Sequence, residues 1–104
     1  MNTVIGEDVN FKGELVLKGD LRIDGYFKGV IKTNDRVLIG QNGYVISDIY
    51  ATEIIIGGKL IGDVYASKRV ALLKTSRLEG NIYTKTISME EGTIFEGNCN
   101  IIKW

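Results

Sequence analysis

The chain has 104 residues with 13 Lys plus Arg, 13 Asp plus Glu and no histidine, so its formal net charge is zero and it lacks the clustered basic excess that phosphate-backbone binding requires. Without histidine there is no histidine base, no His-ligated zinc and no Ser-His-Asp triad, and the single cysteine, Cys99, forms neither an intrachain disulfide nor a thiolate zinc site. An apolar content of 44% and a charged content of 25% are those of a globular domain, and the longest aliphatic run, Val70 to Leu73, is far short of a bilayer span.

In chain order, Val4-Ile5-Gly6 reads as a strand and a corner, followed by Phe11-Lys12-Gly13-Glu14-Leu15. Leu21-Arg22-Ile23, Phe27-Lys28-Gly29-Val30-Ile31 and Val37-Leu38-Ile39 come next, then Val45-Ile46-Ser47-Asp48-Ile49 and Ile54-Ile55-Ile56. The second half continues with Leu60-Ile61-Gly62-Asp63-Val64, Val70-Ala71-Leu72, Leu78-Glu79-Gly80-Asn81-Ile82, Ile87-Ser88-Met89 and Phe95-Glu96-Gly97-Asn98-Cys99, before Ile101-Ile102-Lys103-Trp104. The small residues at 13, 29, 47, 62, 80 and 97 are spaced by 16, 18, 15, 18 and 17, a repeat of about 17 residues over the whole chain.

Apolar positions alternate within both motifs, as in half-buried strands, and no stretch sustains a helical period. Corners such as Asn42-Gly43 and Gly57-Gly58 leave no room for crossover helices, so the expected fold is all-β: a solenoid of parallel strands with about six rungs, forming one domain over residues 1–104 with minimal tails. Phe11, Phe27, Val45, Leu60, Leu78 and Phe95 form one predicted inward ladder. Leu15, Ile31, Ile49, Val64, Ile82 and Cys99 form another, which casts Cys99 as a buried thiol.

A rung is stable only between neighbours, so the two end rungs expose strand edges and an open core unless something covers them. Val4, Ile5, Val9, Phe11 and Leu15 are predicted to surround one opening, and Ile94, Phe95, Ile101, Ile102 and Trp104 the other. End-to-end polymerisation is one reading; terminal residues folding over the ends is the other. The residues assigned to polymerisation are Val4, Ile5, Phe11, Ile94, Phe95, Ile102 and Trp104.

On the outside, one predicted column runs Lys12, Lys28, Ile46, Ile61, Glu79, Glu96, from basic through apolar to acidic, and opposite end charges allow antiparallel rods to pair side by side. A neighbouring column holds Lys32, Tyr50, Tyr65, Tyr83 and Asn100. Ile46, Tyr50, Ile61, Tyr65 and Tyr83 are expected to form one exposed patch, either a stacked ladder or a lateral or partner-binding surface. Glu7-Asp8 and Glu90-Glu91 read as solvated corner residues, and Asp48 and Asp63 share an outward column that would attract a cation weakly. No phosphate cradle is present and no cofactor is expected.

The rungs resemble those of bactofilins, polymer-forming cytoskeletal proteins of bacteria. Val4-Ile5-Gly6-Glu7, Gly19-Asp20-Leu21-Arg22-Ile23-Asp24-Gly25, Ile56-Gly57-Gly58-Lys59-Leu60-Ile61-Gly62-Asp63-Val64 and Glu90-Glu91-Gly92-Thr93-Ile94-Phe95-Glu96-Gly97 carry the likeness, which spans residues 3 to 99. The resemblance implies a right-handed β-helix of triangular section and nucleotide-independent filaments joined head-to-head and tail-to-tail. It further implies a non-enzymatic scaffold for cell-shape or cell-wall machinery, in the cytoplasm or at the inner face of the membrane. Partners are then other copies of the chain and cell-wall-modifying or membrane proteins, with no nucleic acid. Only Met1-Asn2-Thr3 precedes the first rung, where many bactofilins have a membrane-binding segment, which puts direct membrane binding in doubt. Ser47 departs from the corner glycine of the other rungs with no expected change of fold. Two rivals remain open: a monomeric or dimeric adaptor for a cell-wall enzyme, and a left-handed β-helix acyltransferase-type enzyme, against which the irregular spacing and the missing histidine count.

Overall fold

The structure is a computed structural model that describes residues 2–102. Those residues form twelve strands and no helix. The strands are β1 (Asn2–Ile5), β2 (Asn10–Leu17), β3 (Asp20–Ile23), β4 (Tyr26–Thr33), β5 (Arg36–Ile39), β6 (Tyr44–Ile56), β7 (Lys59–Ile61), β8 (Val64–Leu72), β9 (Arg77–Glu79), β10 (Ile82–Met89), β11 (Ile94–Glu96) and β12 (Cys99–Ile101). Every pairing is parallel, and the pairings sort into three stacks, one per side of the solenoid.

Face A stacks β1, β3, β5 and the C-terminal parts of β6, β8 and β10. Face B stacks the N-terminal parts of β2, β4 and β6 on β7, β9 and β11. Face C stacks the C-terminal parts of β2 and β4, the middle of β6, the N-terminal parts of β8 and β10, and β12. Each face has six members, so the chain makes six turns of a parallel β-solenoid, as the repeat requires.

The uneven spacing of the repeat is a matter of corners. Each turn keeps constant face lengths and one corner residue between B and C, whereas the A-to-B corner varies between two and four residues. Gly6–Val9, Gly40–Gly43, Leu73–Ser76 and Glu90–Thr93 are four-residue turns, each closed by a hydrogen bond from the last N–H to the first carbonyl. Asp24-Gly25 and Gly57-Gly58 are two-residue corners nested between them. The C-to-A corner holds one or two residues; Ser67-Lys68 adds one relative to Thr52 and Lys85, producing the register shifts in β6–β8 and β8–β10. These insertions lengthen or shorten a turn without moving any side chain to the wrong face.

The core is made of the ladders read from alternation. Phe27, Val45, Leu60 and Leu78 on face B, Ile31, Ile49, Val64 and Ile82 on face C, and Ile23, Ile39, Ile56 and Leu72 on face A are all fully buried. Each such side chain contributes about 1.5 to 3 kcal/mol on burial. Buried polar groups are satisfied locally: Ser76 Oγ donates to the Leu73 carbonyl at 2.6 Å, and among the described residues no buried side-chain polar atom lacks a partner.

Ser47 preserves the B-to-C corner. Gly13, Gly29, Gly62, Gly80 and Gly97 have positive φ there, whereas no non-glycine residue does, so Ser47 turns the chain with ordinary φ. Its buried hydroxyl donates to the Asp48 carbonyl at 2.7 Å, and β6 runs unbroken through the corner.

Candidate self-assembly surfaces

The two ends of the solenoid differ from its middle because each has a neighbour on one side only. β1 pairs only with β3 and β2 only with β4 at one end; β11 pairs only with β9 and β12 only with β10 at the other. Inward side chains of the sixth turn are therefore left uncovered. Met89 is 46% exposed and Ile101 54% exposed, although Leu72 and Thr84, directly beneath them in register, are fully buried. Cys99 is also exposed, while Ile82 below it is fully buried. The expected core placement of Cys99 is thus corrected: its column is inward, but among the described residues no seventh turn covers it.

At the N-terminal end Phe11 stacks on Phe27 with ring centroids 5.1 Å apart and planes 6° from parallel. Phe11, Leu15 and Leu17 are half-buried and pack against the core. Val4, 62% exposed, points outward above Arg22, and Ile5 is 5% exposed, so only Phe11 of these three residues lies at the open core.

At the C-terminal end Phe95 is half-buried against the core with Leu78 beneath it, and Ile94 points outward above Arg77. Ile102 lies elsewhere. Its N–H donates to the Thr84 carbonyl at 2.8 Å, and the residue lines a groove with Tyr50, Tyr65 and Tyr83. Trp104 lies outside the described residues. Alternation already places Met89 in the column of Ile39, Ile56 and Leu72 and Leu17 in the column of Thr33, Ala51 and Ala66, although neither belongs to the apolar-x-small-x-apolar unit.

The tyrosines form a ladder on face C. Tyr50 and Tyr65 stack at 4.6 Å and 2°, Tyr65 and Tyr83 at 4.8 Å and 4°, and the Lys32 ammonium stands 5.7 Å from the Tyr50 ring centre. Partial desolvation within this stack, followed by the negative charge of Asp63, pushes the Tyr65 phenol above its ordinary value. Ile46 and Ile61 do not share that surface. They lie on face B in a shallow groove with Lys28, Gly29, Ser47, Asp48 and Gly62, so the expected single patch is two strips separated by the B-to-C corner.

Asp48 and Asp63 stand at that corner and serve the backbone. Asp48 Oδ1 accepts the Asp63 N–H at 3.0 Å, Asp63 Oδ1 accepts the Asn81 N–H at 2.9 Å, and Asn81 Oδ1 accepts the Asn98 N–H at 3.2 Å. Each carboxylate ties its turn to the next one. No cluster of three or more potential metal ligands occurs among the described residues. No helix among them is long and apolar enough to cross a membrane.

Comparison with known proteins gives a consistent result. Residues 3–100 match the family model for bactofilins, described as polymer-forming cytoskeletal proteins. The chain is 33% identical over 100 residues to bactofilin BacO of Myxococcus xanthus, covering 96% of this chain and 79% of BacO. It is 24% identical to BacP of the same organism, of which it spans 42%. Among solved structures it resembles the cytoskeletal bactofilin BacA, determined by solid-state NMR, with a TM-score of 0.86, 28% identity and coverage of 99% and 98% of the two chains. It also resembles a Thermus thermophilus bactofilin seen by electron cryomicroscopy in double helical filaments, with a TM-score of 0.83, 28% identity and coverage of 93% and 96%.

Proposed function

Because the chain belongs to the bactofilin family of structural, filament-forming cytoskeletal proteins, we propose that it polymerises through the two open ends of its solenoid, without nucleotide, into non-polar filaments. The observation that carries this reading is the exposed sixth turn, where Met89, Cys99 and Ile101 occupy core columns and meet no further turn among the described residues. A second copy placed there supplies both the missing apolar cover and the missing strand partners.

A two-fold contact between like ends reverses the winding of the second copy, so the new strand pairing is antiparallel although every pairing within the chain is parallel. On this reading Phe11, Leu15 and Leu17 of both copies supply the apolar cover at one contact. Met89, Phe95, Cys99 and Ile101 of both copies do so at the other, with the outward-pointing Val4 and Ile94 at the rims. The filament acts as a non-enzymatic scaffold in the cytoplasm, or peripherally at the inner face of the membrane. It positions cell-wall or cell-shape machinery, with the tyrosine strip of face C as the surface for such partners. The single β-solenoid is the whole unit that this activity requires.

Electron microscopy and sedimentation of the nucleotide-free protein test the polymer directly; a protein that stays monomeric over a wide concentration range refutes it. Cys99 reports on the contact. Its thiol is expected to react with maleimide readily in dilute protein and to be protected in pelleted filaments. Equal labelling of the two forms would exclude the C-terminal end from the contact.

A further inference from the structure

The outward column Lys12, Lys28, Ile46, Ile61, Glu79, Glu96 is continuous on face B, each member in register with the next. Beside it on the same face run Asn10, Tyr26, Tyr44, Lys59, Arg77 and Ile94. Across the corner lie Glu14, Val30, Asp48, Asp63, Asn81 and Asn98. We propose that face B is a lateral contact on which a second copy of this chain lies antiparallel, with the two-fold axis crossing the column between Ile46 and Ile61. The inference rests on the filament reading and adds a second kind of contact to it.

The argument is one of charge and register. Such an axis sets the first turn on the sixth, the second on the fifth and the third on the fourth. Lys12 then meets Glu96, Lys28 meets Glu79, and Ile46 meets Ile61. On one flank Tyr44 meets Lys59, and across the corner Asp48 comes opposite Asp63 at the edge of the contact, where both carboxylates are engaged by backbone amides. A parallel arrangement at the same level sets lysine on lysine and glutamate on glutamate, so charge selects the antiparallel one. Arg77 already pairs with Glu79 at 3.0 Å and stands 3.7 Å from Glu96. In the antiparallel arrangement it comes opposite Tyr26 and keeps its own two partners, while Lys28 of the second copy joins the network. Gly29, Ser47 and Gly62 leave a trough beside Ile46 and Ile61, because no long side chain projects from that corner. An isoleucine of the second copy fits there.

The size of the surface says when it acts. At about 4.8 Å per turn the column is about 24 Å long, and with a width of about 10 Å it buries on the order of 250 Å² per copy. That is well below the roughly 1,000 Å² of total area expected for a stable pair, so isolated protomers do not associate this way. In a filament the contact recurs once per copy and the weak contributions add. Lateral pairing is therefore a property of the polymer, and salt weakens it.

Negative-stain filament width, with pelleted mass as the measure of polymer, tests this. Wild type is expected to form paired filaments at low salt and single ones at high salt. Lys28→Glu and Glu79→Lys, in the second and fifth turns away from the ends, are each expected to give single filaments with unchanged pelleted mass. The double variant reverses both members of each pair and is expected to restore pairing. Wild-type filaments single at every salt, pairs persisting in Lys28→Glu, or a double variant that stays single would overturn the lateral contact while leaving the filament intact. Loss of pelleted mass in either single variant would assign these residues to polymerisation instead. A wild type that forms no polymer removes the filament reading and the lateral contact together.

Discussion

Leu15→Arg at one open end and Ile101→Arg at the other are each expected to stop assembly at a dimer, and the variant carrying both to be monomeric. A filament of like-to-like contacts has two interfaces, one made by two N-terminal ends and one by two C-terminal ends. Blocking one leaves the other able to join two copies and no more. A polar filament has a single kind of interface containing one end of each type, so either substitution alone yields monomers, and a mixture of the two variants yields one heterodimer.

The size of the effect follows from desolvation. An arginine held between two apolar surfaces with no anion opposite costs several kcal/mol, and every 1.4 kcal/mol is about tenfold in affinity. Ile101 is the better probe at its end because it is 54% exposed in the protomer, so a charge there leaves the fold little disturbed. Phe95→Arg should impair assembly as well, but Phe95 also packs against the core above Leu78, which mixes folding with association. Sedimentation velocity of folded protein, checked by circular dichroism, separates the cases. Filaments of normal length from Ile101→Arg would remove the C-terminal end from the contact, and monomers from either single variant would establish a polar polymer.

Gly80→Ala is expected to cost about 3 kcal/mol or more and to lower the urea midpoint accordingly, whereas Gly6→Ala should be close to neutral. Gly80 turns the B-to-C corner with φ of 144°, a conformation that side chains disfavour. A β-carbon there would also collide with the carbonyl of Gly62 in the turn below. The neighbour is backbone held by its own ladder, so neither side can give way. Gly6, at an A-to-B corner, has no positive φ, and an added β-carbon meets nothing within 4 Å. Equal midpoints for the two variants would show that the stacked corners tolerate a wider spacing than the structure has.

Much of the architecture is legible because it is written in alternation, a local property. Each apolar-x-small-x-apolar unit presents its outer residues to the core, and the columns read from them, Phe11 to Phe95, Leu15 to Cys99 and Lys12 to Glu96, are the observed registers. The corners are less legible. Gaps of 15 to 18 between small residues do not say whether an extra residue sits in the A-to-B or the C-to-A corner, since both are short polar stretches. Nor does alternation show that the chain bends at the small residue of each unit, so Ile46 and Ile61 read as one surface with the tyrosines, which the Ser47-Asp48 bend carries onto another face.

Alternation and repeat length by themselves determined that this is a stack of parallel strands and which side chains share a column. Both follow from the two-residue period of a strand and the need of each rung for a neighbour. Only the tertiary structure decided what each column position experiences. Cys99 is exposed where Ile82 is buried because burial depends on whether another turn follows. Asp48 and Asp63 bind backbone amides of the next turn because stacking brings those amides within reach of the carboxylates. Ile102 leaves the core opening for the tyrosine groove because the path of the chain beyond β12 is set by its bond to Thr84 in the turn below.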